Sequence, residues 1–147
     1  MEKAGIQKVT VTENQQHHYQ KRLKKLFGHL DPDNPPANCP IRDVMAPIAD
    51  KWSILSILFL GGYGKLRFNE IKRKLYGVSA KVLSDKLGQL EKDGYVSRQV
   101  FPEVPIRVEY QLTSLGYQYL EQLLDISEWI SEVMPEVLEN RNKIKIY

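Results

Sequence analysis

Cysteine occurs only once in the 147 residues, as Cys39, which rules out any disulfide within the chain. Histidine is almost as scarce, and His17, His18 and His29 make poor metal ligands. Adjacent residues on a helix point about 100° apart, and no Cys, Asp or Glu completes a ligand spacing around His17-His18. Solvated histidines are the expectation, with no metal. Long apolar runs are missing too: the longest, around Ile54 to Leu60, falls far short of the ~20 residues that cross a bilayer. No N-terminal apolar stretch or small-residue cleavage pattern suggests export, so a reducing, cytoplasmic setting with no membrane partner is expected.

The groups that an enzyme needs are absent as well. There is no nucleophile spaced with a base, no paired carboxylates and no phosphate-binding loop. Gly61-Gly62-Tyr63-Gly64 precedes Lys65, but it lacks both the strand before it and the Ser or Thr after the lysine that such a loop requires. It reads as a turn that breaks the chain. Neither catalysis nor a cofactor is expected.

Charge is present but unevenly spread. The formal total is only +3. Met1 to Asp50 holds 7 basic and 6 acidic residues, Lys51 to Arg107 holds 11 and 5, and Val108 to Tyr147 holds 3 and 7. The positive field therefore sits in the middle, which suits a polyanionic partner for that stretch alone.

Hydrophobic periodicity supplies the elements. Residues 1–12 show none and are expected to fray, whereas Tyr19, Leu23, Leu26 and Leu30 form a helical stripe. Pro32, Pro35 and Pro36 stop that helix and mark a linker up to Asn38. Cys39-Pro40 opens a short helix to about Ala49, with Pro47 ending or kinking it. Lys51 to Leu60 is apolar nearly all round and belongs at the centre of a core.

Arg67 to Leu75 is a short helix with Phe68, Ile71 and Leu75 on one face. After the connector Tyr76-Gly77-Val78, Ser79 caps a helix reaching Asp93, with Leu83, Leu87 and Leu90 inward and Gly94 at the stop. Alternation in Val96-Arg98-Val100 and Val108-Tyr110-Leu112 predicts a β-hairpin with a proline-bounded tip. Thr113 caps a last long helix. Along it, Gly116, Leu120, Leu123, Ser127, Ile130 and Met134 recur at about 3.5 residues, the spacing of an interhelical seam.

The reading is a mainly α, α+β chain: a winged helix-turn-helix with a hairpin wing and terminal dimerisation helices. Its parts are an extension with a helix and Pro-rich linker (1–38), the winged domain (39–130), and the end of the last helix with its tail (131–147). With the leucines buried, Lys81, Asp85 and Gly88 point outward on the second helix, with Ser84, Gln89 and Val82 on the flanks. Lys81 suits guanine or phosphate, Ser84 and Gln89 suit base edges, and Asp85 suits a cytosine amino group. Ser79 opens that helix. Lys65 and Arg67 before it, and Arg98 and Arg107 on the hairpin, would meet phosphates on both sides, with Arg107 entering a minor groove at the wing tip. The rival reading of Arg107 is an ion pair with Glu103 or Glu109.

These residues resemble the HxlR family of regulators, relatives of the MarR-type winged helices. The resemblance rests on Cys39-Pro40, Lys51-Trp52, Arg67-Phe68, Val78-Ser79, Lys81-Val82-Leu83-Ser84, Leu90-Glu91, Asp93-Gly94-Tyr95-Val96, Glu103-Val104-Pro105, Val108-Glu109-Tyr110, Leu112-Thr113 and Gly116, in order from Cys39 to about Trp129. It implies a homodimer on a pseudo-palindromic duplex operator, acting as a repressor. Tyr19, Leu23, Leu26, Leu30, Leu120, Leu123 and Ile130 are the candidate dimerisation residues. In some relatives the cysteine at the Cys39 position senses oxidants or electrophiles, which makes Cys39 a candidate sensor and a small electrophile a candidate effector; a purely structural thiol is the equal alternative. The competing function is a winged-helix protein-interaction module that does not bind DNA. RNA is disfavoured, because its deep, narrow major groove would not admit the helix.

Overall fold

The structure is a computed structural model that describes residues 10–28, 33–34 and 36–143. The expectations for residues 1–9, His29, Leu30, Pro32 and Pro35 lie outside the described residues. The chain divides into two units, Met1–Ala46 and Pro47–Tyr147.

The first unit holds α1 (Glu13–Phe27), and its ends are locally encoded. Thr12 and Gln15 form a capping box, in which each side chain meets the other's backbone amide, and Gly28 takes a left-handed conformation at the C-terminus with φ +75°. No residue of α1 is buried. Later in this unit Cys39 caps a six-residue π-helical segment, Pro40–Met45.

The second unit is built around α2 (Lys51–Tyr63). It continues with β1 (Leu66–Arg67), α3 (Phe68–Lys74), α4 (Ala80–Lys92), β2 (Val96–Phe101), β3 (Arg107–Leu112) and α5 (Ser114–Lys143). A 3-10 turn, Ala46–Ile48, holds Pro47, so the regular helix expected up to Ala49 is replaced by π and 3-10 geometry. Proline's missing amide and fixed φ account for the switch.

The glycine run does not break α2 where the sequence suggests. The helix passes through Gly61, Gly62 and Tyr63, and the turn comes at Gly64, with φ +80°. Gly61 serves packing: a side chain there would run into Leu120 of α5. Gly116 serves it too, because a Cβ at that position would overlap the carbonyl of Tyr95.

The core gathers Ile48, Ile57, Leu60, Leu66, Ile71, Leu75, Val78, Leu83, Leu87, Leu90, Val96, Tyr110, Leu112, Leu120 and Leu123. The sheet has the order β1-β3-β2, entirely antiparallel, with Leu66 opposite Tyr110 and Val96 opposite Leu112. The two-residue strand β1 was not foreseen; a pair of residues carries no readable alternation. Thr113 ties three elements together at the base of the hairpin. Its hydroxyl donates to the Gly94 carbonyl and accepts the amide of Gly116 at 3.1 Å.

The two glycine environments give opposite expectations. Gly116→Ala, forced against backbone, should cost about 1–3 kcal/mol. Gly62→Ala, in a helix with open space around it, should stabilise by ~0.5–1 kcal/mol. Thermal unfolding of the two variants beside the parent checks both, and a Gly116→Ala protein as stable as the parent would refute the packing account.

Candidate nucleic-acid interface

Helix α4 owes its orientation to one row of side chains. Leu83, Leu87 and Leu90, all fully buried, lie on one face at steps of four and three. Lys81, Ser84, Asp85 and Gly88 are left exposed. The helix starts at Ser79, whose hydroxyl accepts the Val82 amide at 3.1 Å, so Ser79 acts as a cap. It ends in a Schellman arrangement: Tyr95 N–H donates to the Leu90 carbonyl at 2.9 Å and Gly94 N–H to the Glu91 carbonyl at 3.0 Å, with Gly94 at φ +84°.

Lys86 is a residue that sequence reasoning missed. It sits half-buried on the flank of α4, with Nζ 3.3 Å from Oδ2 of Asp50. Asp50 also caps α2, accepting the amides of Trp52 and Ser53 at 3.1 Å each and the Ser53 hydroxyl at 2.6 Å. Burial works to raise the Asp50 carboxyl, but hydrogen bonds from Ser53 and Lys86, with the lysine's charge, outweigh it and hold the group below its ordinary range. One carboxylate thus joins the start of α2 to the middle of α4. The sequence signal was an Asp directly before an apolar run, the usual mark of an N-cap.

Gln89, expected at base edges, is otherwise engaged. It is half-buried and its Nε2 donates to Oδ2 of Asp93 at 3.0 Å, toward the end of the helix.

The hairpin departs further from expectation. Arg107 is not a free cation at the wing tip: Nη2 lies 3.1 Å from Glu103 and Nε 3.5 Å from Glu109, and the guanidinium stacks 4.0 Å over the Phe101 ring. Two carboxylates lie within ion-pair distance of the guanidinium, so the ion-pair alternative holds, with both partners at once, although Nε itself makes no hydrogen bond. Glu109 is shared with Lys65, at 3.8 Å. The tip itself carries Val104, wholly exposed, and Ile106, 71% exposed. Arg98 and Arg67 are exposed, with no ion-pair partner among the described residues. Arg67 and Arg107, together with Arg73, Phe68 and Val104, line one groove of about 630 Å³ between α3 and the tip.

Cys39 belongs to the first unit. Its Sγ accepts the Arg42 amide at 3.4 Å, and its own amide donates to Asp43 at 2.7 Å. Arg42 grips Asp43 through Nε at 2.7 Å and Nη2 at 2.9 Å, which together with the Cys39 amide lowers the Asp43 carboxyl to about 2. The nearby guanidinium is therefore committed to a carboxylate, and the backbone amide supplies the contact to sulfur.

Of the dimerisation candidates, Leu120 and Leu123 need correction. They are 8% and 6% exposed and belong to the core of their own protomer. Tyr19, Leu23, Leu26 and Ile130 are exposed, and Leu30 lies outside the described residues.

Among the described residues no single helix is long and apolar enough to cross a membrane, and no three His, Cys, Asp or Glu side chains cluster as metal ligands.

Comparison with known proteins fits this architecture. The profile of the HxlR-like helix-turn-helix family matches residues 47–137. The HTH-type transcriptional regulator YtfH of Escherichia coli K12 is 40% identical over 105 residues, which cover 71% of this chain and 82% of YtfH. The structure of the regulator YtfH from Salmonella typhimurium superposes with a TM-score of 0.66 at 38% identity, covering 71% of this chain and 93% of that one. The reduced form of the redox regulator HypR gives 0.62 at 34% identity, covering 69% and 98%.

The Asp50 junction gives a measurable expectation. Asp50→Ala should cost about 1–2 kcal/mol at neutral pH, and Asp50→Asn, which keeps an acceptor, should cost less. Because the folded carboxyl is held low, its contribution is complete above the unfolded pKa and fades as pH falls through the folded one. Urea melts of both variants across the acid range check the size and the sign.

The buried leucine row, the exposed opposite face of α4, the hairpin beside it and the matched relatives converge: the chain belongs to the HxlR-like helix-turn-helix family of transcriptional regulators.

Proposed function

We propose that this regulator binds duplex DNA in the cytoplasm as a homodimer, with the exposed face of α4 in the major groove and the hairpin on the flanking backbone. The observation that carries the reading is the α4 face itself. Lys81 and Asp85 stand exposed opposite the leucine row and Ser84 exposed on its flank, with no ion pair or side-chain hydrogen bond among the described residues. At ~1.5 Å per residue the helix is ~20 Å long, enough to lie across a groove.

Lys81 and Ser84 are proposed as base-reading groups, and Lys65, Arg67 and Arg98 as phosphate contacts. Exposed apolar stripes support two-fold assembly: Tyr19, Leu23 and Leu26 on α1, and Ile126, Ile130, Met134 and Val137 on α5. Half-sites about one helical turn apart, on a pseudo-palindromic operator, follow from that symmetry. Repression by occlusion is the simplest outcome.

Redox control through Cys39 is the finer part of the proposal. It is supported by the half-exposed thiol, by the amide that it accepts, and by the similarity to HypR, a redox regulator known in reduced and oxidised forms. With one cysteine per chain, the products open to it are an intersubunit disulfide, a mixed disulfide with a small thiol, or an alkylated thiol.

Electrophoretic shifts on the DNA upstream of its own gene test the core claim. Affinity should fall with log[salt] at a slope near −0.9 per phosphate contacted, and a flat response would favour a protein-interaction module. Lys81→Ala and Ser84→Ala should each cost ~1–3 kcal/mol at one operator position and less elsewhere; a uniform loss would reduce them to backbone contacts.

The redox claim has its own test. Diamide should release the operator from the parent protein and leave Cys39→Ser bound. Equal release from both would remove Cys39 as the sensor.

A further inference from the structure

We propose that the groove between α3 and the hairpin tip is a binding site for a small organic anion with an apolar body, an aromatic or branched aliphatic carboxylate. The site lies wholly within the second unit and does not depend on the DNA reading; only its effect on operator binding rests on that reading.

The size and the walls suit such a ligand. At about 630 Å³ the groove falls in the range of small-molecule sites, which combine apolar walls with a few placed polar groups. Helix α3 contributes Phe68, and the tip contributes Val104, Pro105 and Ile106. Val104 and Ile106 bury little within the fold itself, so apolar area remains for a ligand to cover.

The charges around the groove divide into engaged and unengaged. Arg107 lies 3.1 Å from Glu103 and 3.5 Å from Glu109, and Glu70 accepts the Arg67 backbone amide at 2.7 Å. Arg67 and Arg73 line the same groove, stand exposed, and have no ion pair among the described residues. Guanidiniums beside an apolar wall, with the neighbouring carboxylates already occupied, favour a ligand whose carboxylate takes charge-assisted hydrogen bonds while its hydrocarbon part leaves water.

Other occupants satisfy only half of the site. Inorganic phosphate, or one phosphate of a DNA backbone, meets the arginines but leaves the apolar wall wet. An uncharged hydrocarbon covers the wall and strips water from the guanidiniums without replacing it. An organic cation is repelled by the same arginines.

Occupancy has a consequence for the proposed function. Arg67 is also a proposed phosphate contact, so a carboxylate held there competes with the DNA backbone for one guanidinium. A filled groove should therefore weaken operator binding, and operator DNA should weaken the ligand by the same factor.

Amide NMR of the full-length protein, titrated with naphthoate, tests the site. Shifts should saturate and concentrate at Phe68, Arg73 and residues 103–108. Naphthylmethylamine, the cationic counterpart, and inorganic phosphate should each bind about tenfold more weakly or worse. Arg67→Gln/Arg73→Gln and Ile106→Ser, all at exposed positions, should each weaken naphthoate by about tenfold, with the thermal unfolding of the parent kept. Three results would overturn the site: no saturable shift in the groove from naphthoate or from a panel of aliphatic carboxylates, an amine that binds as tightly as the carboxylate, or phosphate that binds as tightly as naphthoate. Electrophoretic shifts at saturating naphthoate read the coupling, and the parent's operator affinity should fall about tenfold. Unchanged affinity with the groove filled would overturn the competition and leave the site standing. A protein that binds no duplex at all would remove the proposed function, and the naphthoate titration would still decide the site.

Discussion

The burial of Leu83, Leu87 and Leu90 is the constraint from which the interface follows. A helix has one circumference, and once three leucines have claimed a side, the identity of the outward residues is settled by geometry alone. Lys81, Ser84, Asp85 and Gly88 need no further instruction to face outward. What the leucines cannot settle is how far the helix rocks about its buried row. Asp50 contributes there, with its carboxylate bonded to the first turn of α2 and to Lys86 on α4. A polar tie at the edge of an apolar contact restricts sliding that dispersion alone would permit.

Glycine plays an analogous part where α5 crosses the domain. Gly61 lets Leu120 lie against the backbone of α2, and Gly116 lets the start of α5 rest on the Tyr95 carbonyl. Both sit in a helix, where glycine is a poor helix former, so their presence is explained by approach distance rather than by local conformation. This also accounts for a misreading. Three glycines within four residues look like a break, and only Gly64 is one, because only there does the chain need a positive φ.

Elements with strong periodicity were legible from the residues alone: α2 from its unbroken apolar character, α4 from its leucines and the Ser79 cap, the hairpin from alternation and prolines. What escaped depended on distant partners. Nothing local distinguishes the Leu120 and Leu123 steps from the Ile130 and Met134 steps, since all follow the same 3.5-residue rhythm. Tertiary contacts, among them Leu120 against Gly61 and Gly116 against Tyr95, divide α5 into an inner half spent on the core and an outer half left exposed. Arg107 illustrates the same limit. Its place on the hairpin was readable, but whether Glu103 and Glu109 would hold it depended on strand register, and the register pairs it with Phe101. Gln89 is drawn aside by Asp93, its neighbour at i+4.

Net charge conceals more than it tells in this protein. A total of +3 suggests indifference to polyanions, yet it is the remainder of a basic central stretch and an acidic last helix. Such segregation has a use. The surface proposed to meet phosphate is kept positive, and the acidic ladder of α5 would be repelled from the same polyanion, so the field helps to decide which end of the molecule approaches. Charge sorting of this kind would orient the protein on the nucleic acid it is proposed to bind, without any change in the net total.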